Sequence, residues 1–160
     1  MHRSFDLREI MRRWPTGVAI VTTQDGNVRH GMTVNSFVSV SLEPAAVTVT
    51  MANSSHTRQL VERTGLFAVN ILDENSAEIS DTFAGRVPET QDRFEELPVF
   101  SGLSGLPLLA DAIAQIECKV IHRHEMLNST LYIGEVLHAT VRSNSQPLVY
   151  LNREYWRIKK

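Results

Sequence analysis

Two short stretches concentrate side chains able to hold a polar ligand. In HGMTVNSFVSVSLEP (30–44), the even positions from residue 32 read Met32, Val34, Ser36, Val38, Val40 and Leu42, and the odd positions read Thr33, Asn35, Phe37, Ser39 and Ser41. Successive strand side chains point to opposite faces, so one face is nearly all apolar and the other is short, polar and uncharged. A solvent-facing strand would usually carry Lys, Glu or Arg there. Hydroxyls and a carboxamide instead suit a ligand that must come close to the main chain. In MANSSHTRQL (51–60), Asn53, Ser54, Ser55 and Thr57 gather at the mouth of a helix, with Arg58 just inside. A helix start carries unpaired N–H groups and the positive end of the dipole, and hydroxyls with an arginine strengthen it for phosphate. Ser54 or Ser55 also has the chemistry of an ordinary helix cap. Taken together, the two stretches fit a ligand with a flat polar ring at one end and a phosphate at the other.

Other chemistries find little support. No Walker loop is present, and Gly102 with Gly105 forms only GxxG, outside the strand–turn–helix setting of a dinucleotide fingerprint. His122 and His124 could share a strand face but lack a third ligand of suitable spacing, so no metal is expected. His30, His56 and His138 are isolated in sequence, and nothing fixes the separation of Glu117 from Glu135. No GxSxG elbow occurs. Cys118 is the only cysteine, which excludes an internal disulfide and a multi-cysteine metal site; it is expected to pack in the core. No side chain is assigned a catalytic role.

The elements that must position these residues belong to one domain spanning 1–160, with 42% hydrophobic and 21% charged residues. Sixteen basic against eighteen acidic residues leave a formal charge of −2, with no surplus for nucleic acid or an anionic membrane. No apolar run approaches the roughly eighteen residues of a membrane span. MHRSFDLREIMRRW carries charges throughout and is no secretory signal, so a cytoplasmic protein is expected.

Residues 4–14 read as a helix capped by Ser4, with Phe5, Ile10, Met11 and Trp14 as apolar members and Pro15 as its stop. TGVAIVTTQDGNVRHGMTV reads as two strands joined at Asp25-Gly26. AAVTVTM (45–51) is a strand, HTRQLVERTG a short helix closed by Gly65, LFAVNIL (66–72) a strand, and SAEISDTFAG (76–85) a second short helix. Residues 86–109, with three prolines and two glycines, read as a long irregular connection. IAQIECKVIHRH, TLYIGEVLHATV and PLVYLNREYWRI return to strands. Six or more strands with short helices between them are not a βαβ alternation; they suggest a closed antiparallel barrel with appended helices.

The series Phe5 with MRRWPTGVAIVTT (5–23), HGMTVNSFVSVSLEP (30–44), NSSHT (53–57), FAVNIL (67–72), FAG (83–85), DRF (92–94), ECKVIHRH (117–124), YIGEV (132–136) and PLVYLNREY (147–155) resembles the flavin reductase-like family. These are small split-barrel reductases serving two-component flavin monooxygenases, and the likeness runs from about residue 5 to 158. It implies a mainly β protein with short helices, a homodimeric six-stranded antiparallel split barrel of the FMN-binding split-barrel fold. It implies an NAD(P)H:flavin oxidoreductase that reduces free FMN or FAD with NADH or NADPH and supplies a separate flavin-dependent oxygenase. A non-catalytic flavin carrier of the same fold is the alternative. Carried over by position, Thr33, Val34, Asn35, Ser36, Ser39 and Ser41 would line the isoalloxazine and ribityl chain. Asn53, Ser54, Ser55 and Thr57 would hold phosphate, while Phe83, Ala84 and Gly85 would close the site. The family usually carries an Asp-His pair where this chain has Asn128-Ser129, and many members have His or Arg after the terminal aromatic, where Tyr155-Trp156 stands here. Ser129 and Tyr155 would lie near the approaching nicotinamide.

Overall fold

The computed structural model describes residues 5–86, 88 and 90–159. Helix α1 (Leu7–Met11) is short, and Asp6 caps it by accepting the Arg8 N–H at 2.9 Å. The expected cap, Ser4, lies outside the described residues. Phe5, Ile10, Met11 and Trp14 are all exposed, so this helix buries none of the apolar members that predicted it.

After β1 (Thr16–Gly17), β2 (Ala19–Asp25) and β3 (Val28–Val34) form the expected hairpin around Gly26-Asn27, with Gly26 at φ 58°. β4 (Val38–Leu42) and β5 (Ala45–Ala52) follow, then α2 (His56–Thr64), closed by Gly65 at φ 68° as its position required. β6 (Leu66–Ile71) leads to α3 (Ala77–Asp81), which runs into a π-helical turn at Thr82–Arg86. The span read as irregular holds a small hairpin, β7 (Val99–Ser101) with β8 (Pro107–Leu109). β9 (Ala114–Glu125) and β10 (Ser129–Val141) are the longest strands, and the chain closes with β11 (Val149–Leu151) and β12 (Glu154–Trp156). PLVYLNREYW is therefore a hairpin rather than one strand. Its loop, Asn152-Arg153, has both residues at positive φ, the mirror-image turn that joins strands twisting the native way.

The main sheet is antiparallel throughout, in the order β3-β2-β6-β9-β10-β5-β4. It has seven strands where six were expected, and its end strands β3 and β4 do not pair with each other. The cause lies in residues 30–42. Residues 30–42 do not form one continuous strand. Ser36 turns its hydroxyl onto β5, donating to the Thr50 carbonyl and accepting the Thr50 N–H, both at 3.0 Å. That hydroxyl occupies main-chain groups a continuing strand would have used, and pairing resumes only at Val38↔Thr48. The break also ends the predicted apolar face: Val34 is buried, but Val38, Val40 and Leu42 are exposed.

β2 and β6 are covered on both sides, which explains the unbroken apolar run Val18-Ala19-Ile20-Val21. One core, with Val21, Val49, Phe67, Val69, Cys118 and Tyr132, packs on one face of the sheet. The other, with Ile20, Leu72, Phe83, Phe94, Leu109 and Leu148, lies beneath α3 and the loops. Buried amides hold β8 in place: Asn70 Oδ1 accepts the Leu109 N–H at 2.9 Å, and Gln115 Nε2 donates to the Leu109 carbonyl at 2.6 Å. Glu117, once a candidate member of a carboxylate pair, is instead buried and accepts the N–H groups of Leu103 and Ser104. Glu135 is exposed on β10 and does not join it. No helix among the described residues is long and apolar enough to cross a membrane.

Cys118 is fully buried, as expected, and burial followed by the nearby Glu117 charge pushes its thiol up to about 12. A thiolate is needed for reaction. Native protein is therefore expected to resist a thiol-specific chromogenic reagent at about pH 8 and to react fully once unfolded. Rapid labelling of the native state would contradict this placement.

Candidate functional site

Where β3 stops, two cavities adjoin. One, of about 340 Å³, is walled by Trp14, Thr16, Val34, Asn35, Phe37 and Val38. The other, of about 260 Å³, is walled by Thr33, Asn35, Ala84, Arg86, Arg153 and Tyr155. Val18, Val34 and Asn35 belong to both, so the cavities meet at the kink between β3 and β4. The break that spoils the strand thus opens the groove.

Hydrogen bonds tie the far wall to β3. Thr33 Oγ1 donates to the Ser80 carbonyl at 2.6 Å. Tyr155 donates its hydroxyl to Asp81 Oδ1 at 2.7 Å and lies 2.9 Å from Ser80 Oγ. Asp81 also accepts from Arg86 at 2.8 Å. Burial raises the Tyr155 phenol above its ordinary range and the Asp81 carboxylate adds to this, while Ser80 and Arg86 act in the opposite sense. Tyr155 therefore remains a neutral donor at physiological pH. Phe83 comes close to β3 because Gly31 has no side chain; a Cβ there would stand 2.8 Å from the ring. Phe83 meets Phe94 edge-on at 5.0 Å. Gly85, at φ 85°, supplies the left-handed residue that ends the π turn beside Ala84.

The serine-rich turn is built differently from the strand. Asn53 is a brace: its amide donates to the carbonyls of Met126 (3.0 Å) and Leu127 (3.3 Å), and its carbonyl accepts from Thr130 at 2.7 Å. Ser54 is exposed. Ser55 caps α2, accepting the Arg58 N–H at 3.1 Å, so the ordinary capping role is present. Thr57 is fully buried with its hydroxyl 2.8 Å from His30 Nδ1. Arg58 reaches Tyr132 at 3.1 Å and Glu125 at 3.4 Å, so much of its charge is already paired.

Among the expected ring-facing residues, Thr33, Val34 and Asn35 share a cavity wall with Ala84, and Phe83 packs behind it. Ser36 spends its hydroxyl on Thr50, and Ser39 and Ser41 sit on β4, outside both cavities. Ser129 lies at the β9–β10 turn, paired with Ala52, and does not join Tyr155 within one chain. Trp14, Thr16, Ser80, Asp81, Arg86 and Arg153 were not anticipated. For Arg153 a signal existed: Asn-Arg between two aromatic-bearing triplets is a two-residue hairpin loop that points its flanking side chains into one wall. Among the described residues no three His, Cys, Asp or Glu side chains gather closely enough to hold a metal ion.

The groove fits a flat heteroaromatic ring. Its walls are mostly apolar, with a few separate polar groups, as in small-molecule sites generally. The Thr16 hydroxyl on the first wall is buried without a hydrogen-bond partner among the described residues, a donor and acceptor available to a ligand.

Comparison with known proteins agrees with this geometry. Residues 11–159 match the family described as flavin reductase like domain. A relative 36% identical over 157 residues, covering 96% of this chain and 84% of its own, is an NADH-dependent FMN reductase of Streptomyces nodosus subsp. asukaensis. Another, 33% identical with coverages of 94% and 84%, is the reductase component of an FADH(2)-dependent resorcinol hydroxylase from Rhizobium sp. strain MTP-10005. The solved structure of a Streptomyces globisporus NADH:FAD oxidoreductase superposes with a TM-score of 0.90 at 32% identity, covering 96% of this chain and 92% of that one. A groove at a broken edge strand, an FAG turn behind it and a matching domain over nearly the whole length place this chain in the flavin reductase like family.

Proposed function

We propose that the protein reduces free flavin, FMN or FAD, with NADH or NADPH, and that the reduced flavin serves a separate flavin-dependent monooxygenase. The groove at the end of β3 carries this reading. β3 is an end strand, and the Gly31 carbonyl on its open edge is taken by Arg93 at 3.1 Å. Main-chain direction alternates along an antiparallel strand, so Thr33 presents its N–H and C=O to the same open edge. A ring lying there meets Thr33 main chain, the Asn35 carboxamide and the Thr16 hydroxyl. Ala84 and Gly85 close over it, and Ser54, Ser55 and the first amides of α2 take the phosphate. The flavin supplies hydride acceptance when bound; the chain orients two rings and excludes water. Main-chain N–H groups and hydroxyls on the groove stabilise negative charge that develops on the ring. Tyr155, held neutral by burial and by the Asp81 carboxylate, borders the side from which a nicotinamide would stack.

A homodimer of the split-barrel type fits the surface. β9 exposes Ile121, β10 exposes Leu137 and Val141, and β4 exposes Val38, Val40 and Leu42. Exposed apolar side chains on these strands would be covered by a second copy of the chain.

The direct test follows absorbance at 340 nm with NADH or NADPH and added FMN or FAD. Oxidation that requires flavin supports the reading. No turnover with any of the four pairs overturns it, and tight flavin binding without turnover favours the carrier. Asn35→Leu is expected to weaken flavin binding by about 1–3 kcal/mol, because a buried polar group of the ring loses its partner. Asn35 is exposed in the groove, so thermal stability should hold. A loss of stability with affinity intact would make the residue structural.

A further inference from the structure

The hairpin of β11 and β12 supplies Tyr150, Arg153 and Tyr155 to the cavity of about 260 Å³. Its two-residue loop holds Asn152 at φ 53° and Arg153 at φ 67°. Such a loop favours asparagine followed by glycine, because glycine takes the left-handed region without steric cost. Asn152 meets that preference and Arg153 violates it. Backbone strain of this kind clusters where a side chain is held for a ligand. The loop is also fixed in place: the Asn152 N–H donates to the Arg12 carbonyl at 3.0 Å, and Trp156 Nε1 donates to the Leu151 carbonyl at 3.2 Å. On β12 the Tyr155 hydroxyl is bound to Asp81 and Ser80.

Charge separates Arg153 from its neighbours. The other guanidinium on this cavity, Arg86, is paired at 2.8 Å with Asp81, the one acid among the lining residues. Among the described residues no carboxylate pairs with Arg153, and the residue is exposed while bordering the cavity, so it stands at the rim. The cavity is smaller than a usual site for a drug-sized ligand and takes one ring with its sugar, not a whole dinucleotide. In a nicotinamide dinucleotide the group that follows the first sugar is the diphosphate. With the ring inside, the diphosphate leaves across the rim.

Resting on the reductase reading above, we propose that Arg153 is a specificity-determining residue of this chain, whose guanidinium meets the diphosphate of the nicotinamide donor. A planar cation matches phosphate oxygens with two parallel N–H groups, the strongest hydrogen bond available at an exposed rim. The contact is remote from the reacting atoms, so it acts on donor binding rather than on hydride transfer. It also makes no distinction between NADH and NADPH, which share the diphosphate.

The test measures steady-state rates of wild type, Arg153→Gly and Arg153→Lys with NADH, NADPH and reduced N-benzyl nicotinamide, which carries the reactive ring without a phosphate. Arg153→Gly should raise the KM for NADH and for NADPH by about tenfold, the loss of one charge-bearing hydrogen bond, and leave kcat within about twofold. The flavin KM and turnover of the phosphate-free donor should not change. Arg153→Lys keeps the charge and should recover part of the loss. Tm should hold or rise in Arg153→Gly, because glycine accepts the positive φ of the loop. Weaker donor binding in a fold at least as stable is a result that a purely structural arginine would not give. Unchanged KM for both dinucleotides, or a fall in Tm with KM intact, overturns the assignment. So does a rise confined to NADPH, which would move the arginine to the ribose phosphate, or an equal rise for the phosphate-free donor or the flavin. Each of these leaves the reductase reading standing. Absence of wild-type turnover with every donor and flavin sinks that reading, and this proposal with it.

Discussion

Gly31→Val should cripple the flavin site and the fold together. A Cβ at Gly31 would stand 2.8 Å from Phe83 Cε1, 3.0 Å from Cδ1 and 3.1 Å from the Val21 carbonyl oxygen. The ring can move, but the carbonyl belongs to the neighbouring strand and cannot. Phe83 is also buried against Phe94, so displacing it drags the Thr82–Arg86 turn, and with it Ala84, away from β3. Overpacking of this kind costs roughly 1–3 kcal/mol or more. Flavin affinity should fall by about tenfold or more besides, because the wall facing Asn35 moves. Chemical denaturation and flavin titration measure the two losses. Adding Phe83→Leu should recover part of both, since a smaller side chain makes room beside the new Cβ. Full affinity in the single variant would show that the turn and the groove are independent.

The largest purely structural effect is expected for Phe67→Ala. Phe67 is fully buried, and its ring occupies the space over Gly134, where a Cβ would lie 2.6 Å from Cζ. β10 therefore has a glycine because β6 has a phenylalanine. Removing the ring leaves a cavity bordered by Gly134 and Cys118, neither of which can fill it. Such truncations cost about 3–5 kcal/mol, which for a chain of this size lowers Tm by roughly 10 °C. Gly134→Ala alone should also destabilise, and its cost should shrink in the Phe67→Ala background. Additive losses would contradict direct contact between the two positions.

Much of the fold was legible locally. Asp25-Gly26 announced the β2–β3 hairpin, Gly65 ended α2 where left-handed geometry was needed, and the β-branched runs at 45–52 and 66–71 are strands. The site was legible in part. Thr33, Val34, Asn35 and Ala84 were named from residue type or family resemblance, and they share a cavity wall. Ser36, Ser39 and Asn53 looked equally suited by type, yet Ser36 and Asn53 are consumed by hydrogen bonds to segments 14 and more than 70 residues away. Nothing in a polar side chain's neighbours tells whether a distant main chain will claim it.

What the sequence determined by itself is therefore the set of elements: alternation, turn chemistry and caps act over a few residues and are written in order along the chain. Tertiary structure decided where those elements stop and which surfaces stay open. Ser36 breaks the strand only because Thr50 lies across from it, and Pro107–Leu109 becomes a strand only because Asn70 and Gln115 satisfy it. The groove exists because Trp14, Asn35, Ala84 and Tyr155 converge from four separate segments. Contacts between distant residues carry no local periodicity, so their outcome emerges only when the chain is closed upon itself.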